Sequence, residues 1–72
     1  MDKIDTLISE IVVALKNELP SHYSFYVCEF ESLIKRDLLR ASYGLLDDLI
    51  RKNDWHPSIR LKGLIDKYKV IF

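Results

Sequence analysis

Residues 3–18 read Lys3-Ile-Asp-Thr-Leu-Ile-Ser-Glu-Ile-Val-Val-Ala-Leu-Lys-Asn-Glu18, and within them Ile4, Leu7, Ile8, Ile11, Val12 and Leu15 return every third or fourth place. That spacing lines one face of a helix. Asp2, Asp5 and Glu10 stand early, where the positive end of the helix dipole favours carboxylates, and Lys16 stands late. Leu19-Pro20 closes the segment, because proline disfavours helical geometry in the residue before it. The first helix is therefore expected over 3–18.

The same rhythm continues outward from it. Ser21 is placed to cap a second helix over 22–36, whose stripe is Tyr23, Tyr26, Val27, Phe30, Leu33 and Ile34, with Glu29, Glu31 and Lys35 opposite. From Leu38 to Ile50 apolar residues cover more than one stripe, which predicts a central, largely buried third helix. One helix over 22–53 would be about 48 Å long, too long for so short a compact chain. Lys35 and Arg36 suit a C-terminal end and Asp37 an N-cap, so a corner is expected within 36–40 and the third helix over 38–53. After the loop Asn53–Pro57, Ser58 caps a fourth helix over 58–69 carrying Leu61, Leu64, Ile65 and Tyr68. Gly63 weakens that helix by about 1 kcal/mol against alanine, so it must rely on docking. Residues 69–72 are apolar enough to pack back on the bundle. The expectation is one all-α domain over 1–72, a compact bundle of four short helices.

Composition sets limits on function. The 72 residues hold 11 basic and 11 acidic side chains, and a single cysteine that cannot form an internal disulfide. No apolar run is long enough to span a membrane, and the start lacks the basic and then apolar pattern of a secretory signal, so a cytoplasmic location is expected. Residues 1–31 carry six acids and two bases, whereas residues 32–72 carry nine bases and five acids. Either the two halves attract each other, or they form a bipolar surface for a charged partner.

Chemistry within the chain has few candidates. His22, Cys28 and His56 lie far from one another in sequence, so no metal site is expected. Asp47 and Asp48 point about 100° apart on a helix and do not form a cage. Cys28 sits in a helical run between Val27 and Phe30 and reads as a buried structural thiol. There is no Gly-rich phosphate loop, and the expectation is neither an enzyme nor a cofactor binder. Nucleic acid is the alternative partner: Lys and Arg crowd the second half, with Trp55 and His56 able to stack on bases. Against it stand a near-neutral pI and a fourth helix that opens with only Arg60 for base reading. Phe25 falls off the apolar stripe beside Glu29, as either a packing contact or an exposed anchor, and Trp55 poses the same choice.

The stretch Leu19-Pro20, the helix after it, and Tyr43-Gly-Leu-Leu-Asp-Asp-Leu-Ile50 resemble the small helical immunity proteins of bacterial polymorphic and contact-dependent toxin systems. The resemblance spans about residues 15–68. Its corner reads Arg40-Ala-Ser42 where those proteins usually carry Gly-Glu, and the loop Asn53–Pro57 is bulkier, departures that imply either a different toxin partner or a likeness only of two small bundles. The resemblance implies a protein-binding module that neutralises a cognate toxin by tight binding. Tyr43, Asp47, Asp48, Asp54 and Trp55 become the partner-binding candidates, the carboxylates facing a basic cleft and the aromatics anchoring.

Overall fold

The structure is a computed structural model that describes residues 3–71, with the side chain of Ile71 left aside. It contains α1 (Lys3–Glu18), a 3-10 turn (Ser21–Tyr23), α2 (Phe25–Lys35), α3 (Leu39–Lys52) and α4 (Ile59–Ile71). The all-α bundle of four helices is as the periodicity predicts. α1 packs mainly on α4 and α2 mainly on α3, while α1 also touches α2. The Cα radius of gyration is 11.3 Å, close to the value of about 11 Å expected of a compact chain this long.

Each helix contributes one stripe to a shared core. α1 gives Leu7, Ile11, Ala14 and Leu15, and α2 gives Val27 and Phe30. α3 adds Leu46 and Leu49, and α4 adds Leu61, Leu64, Ile65 and Tyr68, all nearly or wholly buried. Tyr68 is the largest side chain among those fully buried, and Phe30 meets it edge-on with ring centroids 6.0 Å apart. The fourth helix thus holds its place by docking, as its glycine requires. α3 is less buried than the central, largely buried helix its composition predicts. It buries Ser42, Leu46 and Leu49, half-buries Leu39, Tyr43, Leu45 and Ile50, and leaves Leu38 exposed at its start. Its outer side belongs to Arg40, Ala41, Gly44, Asp48, Arg51 and Lys52.

Two helix ends differ from the sequence reading. Ser21 does not cap α2: it opens the 3-10 turn, and Ser24 precedes the helix without a side-chain capping bond. Proline at 20 fixes extended geometry just before the turn, which tightens the entry. Asp37 does not cap α3 either. It adopts a left-handed φ of 58° and completes the end of α2, its N–H donating to the Ile34 carbonyl and that of Leu38 to the Leu33 carbonyl. This is the Schellman pattern, in which Asp takes the place glycine usually holds, being one of the few residues that tolerate this backbone. Leu38 then stands before α3 with no side-chain cap.

Ser58 does cap α4: its Oγ accepts from the Leu61 N–H at 3.1 Å. A residue 40 places away completes the cap. Glu18, the last of α1, accepts the Ser58 N–H at 2.8 Å and the Ser58 hydroxyl at 2.6 Å. A capping box normally draws that carboxylate from the helix itself, three residues on, but Leu61 occupies that position. The α1 terminus therefore welds the start of α4, and the two helices run antiparallel. Ser58→Ala is expected to cost about 1–2 kcal/mol in urea unfolding, and Glu18→Gln less, because an amide oxygen still accepts the N–H.

Candidate interaction surface

Polar side chains fix which helix ends meet. Asn53, closing α3, donates from Nδ2 to the Leu49 carbonyl at 3.0 Å and to the Tyr26 hydroxyl at 2.9 Å. The C-terminal end of α3 thus lies against the N-terminal end of α2. Together with the Glu18–Ser58 weld, this gathers the 3-10 turn, the first turn of α2 and the loop 53–58 at one pole of the bundle.

That pole is aromatic. His22 and Tyr23 lie with ring centroids 4.2 Å apart, Tyr23 meets Tyr26 edge-on at 6.3 Å, and Phe25 rests on Tyr26 at 4.4 Å. Phe25 keeps 55% of its surface in water, an unusual exposure for a side chain of that size. Its packing on Tyr26 and its exposure answer the question the sequence left open: it is both a contact and an outward-facing ring. Trp55 is half-buried and packs against the core beneath the loop. Asp54 beside it takes a left-handed φ of 49°, and its side chain is 99% exposed, 3.6 Å from His56 Nε2.

The structure separates the remaining candidates. Asp54 and Trp55 share the pole. Asp48 lies on the outer side of α3, 3.6 Å from Lys52, and both are more than half exposed, a pairing too weak and wet to withhold the carboxylate from a partner. Asp47 faces α4, where Lys69 binds it directly. Tyr43 is half-buried there too, edge-on to Tyr68 with centroids 4.9 Å apart and its hydroxyl donating to the Tyr68 carbonyl at 3.3 Å. These two hold the α3–α4 seam together. Sequence spacing did not associate Tyr23, Phe25 and Tyr26 with Trp55, because that proximity depends on the Asn53 bridge between two helices.

Behind the seam runs a short chain of hydroxyls. The Ser42 hydroxyl donates to the Leu39 carbonyl, and the Tyr68 hydroxyl then donates to Ser42 Oγ at 2.8 Å. Burial pushes the Tyr68 hydroxyl above the usual tyrosine value, the Ser42 bond pulls the other way, and Tyr43 adds to the rise. Burial also raises Tyr43, opposed by Arg40. A raised folded value means that the neutral form is favoured by folding. This contribution is intact below about pH 10 and fades as pH climbs through the raised value. Urea midpoints should fall above about pH 10, and Tyr68→Phe should flatten that fall.

Cys28 is exposed, not buried, since it lies off the stripe of Val27 and Phe30. His22 and His56 are exposed, and among the described residues no group of three His, Cys, Asp or Glu could hold a metal ion. The ion pairs seen among the described residues all lie within residues 47–69, so none of them joins the acidic and basic halves. Val70 does not pack back on the bundle but stands 83% exposed, and the packing expected of the last two side chains falls outside the described residues. No described helix is long and apolar enough to cross a membrane. Fold and surface together define a small all-α bundle with an aromatic pole. No known family, curated protein or solved structure matches this chain.

Proposed function

We propose that this chain is a protein-binding module that neutralises a cognate bacterial toxin by tight binding in the cytoplasm, with the aromatic pole as its docking end. The observation that supports this reading most is Phe25, an exposed ring seated on Tyr26 at the same pole as the fully exposed carboxylate of Asp54. Aromatic side chains are enriched at the centres of protein interfaces, and exposed carboxylates steer a basic partner into place. Asp48 and Trp55 extend the surface along α3 and the loop, while Asp47 and Tyr43 act through the seam behind it. The resemblance of residues 15–68 to immunity proteins supplies the kind of partner.

The experiment is co-expression with the protein encoded by the gene immediately upstream, which this reading expects to be the toxin. The wild type should rescue growth. Asp48→Lys combined with Asp54→Asn should abolish rescue with an unchanged helical circular-dichroism spectrum, asparagine being chosen because it also tolerates the left-handed backbone. Full rescue by that variant would contradict the reading. So would retention of the wild type on duplex DNA that weakens steeply with salt, the mark of a phosphate-binding basic half.

A further inference from the structure

We infer that Glu18 and Asn53 are positioning residues for the docking end, holding the loop 53–58 in one shape so that Asp54 is presented to a partner. They act through the loop and not as contacts of their own, and the inference rests on the pole being the docking end.

The loop alternates. Asn53, Trp55 and Pro57 are half-buried, while Asp54 and His56 between them stand in water. Its backbone does not fix that pattern, for among the described residues no backbone–backbone hydrogen bond ties residues 55–57 to α1, α2 or α4. The hold comes from side chains. At the front, Asn53 Nδ2 donates to the Leu49 carbonyl and to the Tyr26 hydroxyl. In the middle, the Trp55 ring packs against the core. At the rear, one carboxylate, that of Glu18, accepts both the N–H and the hydroxyl of Ser58. A charged acceptor makes these the stronger kind of hydrogen bond.

The residue held between these anchors is the strained one. Asp54 keeps a φ of 49°, in the left-handed region that favours glycine, with its side chain 99% exposed. Such a backbone persists only where its surroundings over-determine it. Here Asn53 fixes the near side, and Trp55 and Ser58 fix the far side. With either outer anchor gone, the loop gains other shapes, and a partner binds only the fraction that keeps the docking shape. Neither Glu18 nor Asn53 belongs to the buried apolar core, so the helices should stay assembled when one of them is replaced.

The test uses Trp55, the chain's single tryptophan, as a reporter inside the loop. In the full chain, Glu18→Ala and Asn53→Ala should each raise acrylamide quenching of Trp55. Each should also weaken binding to an inactive variant of the protein encoded immediately upstream by about tenfold, the weight of one or two lost hydrogen bonds. Glu18→Gln, whose amide oxygen still accepts the Ser58 N–H, should restore most of both. Ile65→Val, which trims the α4 core and lowers the urea midpoint, should change neither while the chain stays folded. Unchanged quenching in the two alanine variants would overturn the inference. So would raised quenching with wild-type affinity, or equal effects of Ile65→Val, which would mark a loss of general stability. A wild type that does not bind the upstream protein overturns the reading of the pole instead, and the quenching series still decides whether Glu18 and Asn53 hold the loop.

Discussion

Phe30→Ala should lower the unfolding free energy by about 3–5 kcal/mol, more than any surface change in this chain. Phe30 is wholly buried, and its ring meets Tyr68, the other large aromatic of the core, edge-on. Truncation removes that contact and leaves a hole that the closely packed side chains around it relax only partly to fill. A domain of this length holds only about 4–11 kcal/mol in total, so the loss is a large fraction of its stability. Urea unfolding followed by far-ultraviolet circular dichroism measures the loss. A cost below about 1 kcal/mol would mean that the core is not assembled as described.

If the chain is the immunity protein proposed above, Phe25→Ala combined with Asp54→Asn should reduce affinity for its toxin at least 100-fold, while shifting the urea midpoint little. Removing a central aromatic anchor commonly costs an interface about 2 kcal/mol or more, roughly 30-fold, and losing a steering carboxylate slows encounter as well. Stability should hardly change, because more than half of Phe25 already faces water and nearly all of Asp54 does. Trp55→Ala is a poorer probe, since its ring also packs on the core and its loss would mix folding with binding. Equal affinity of the double variant and wild type would remove the pole from the interface.

The helices were legible in sequence wherever a single apolar stripe recurred at helical spacing, as from Ile4 to Leu15 and from Leu61 to Tyr68. Ser58 was legible as a cap because it follows a proline and precedes a periodic run. Ser21 and Asp37 look equally good as caps, and their real positions depend on backbone geometry that residue type alone does not specify. At 37 a left-handed turn ends α2 where a cap for α3 was expected. α3 reads as largely buried because its apolar side chains cover more than one stripe, whereas in the bundle its outer side, from Arg40 to Lys52, stays in water. The pole itself was illegible. Its parts are joined by the Glu18–Ser58 and Tyr26–Asn53 contacts, 40 and 27 residues apart, and no local pattern encodes a pairing over that distance. Asp47 and Asp48 were adjacent candidates in sequence, but helical rotation sends one into the α3–α4 seam and the other to water.

The most direct measurement is a calorimetric titration of the intact chain with an inactive variant of the protein encoded by the gene immediately upstream, which the proposed reading expects to be its toxin. A one-to-one complex with a dissociation constant of about 10⁻⁷ M or tighter, lost in Phe25→Ala with Asp54→Asn, is the expected result. No heat of binding to that protein, alongside salt-sensitive binding to duplex DNA, would contradict it.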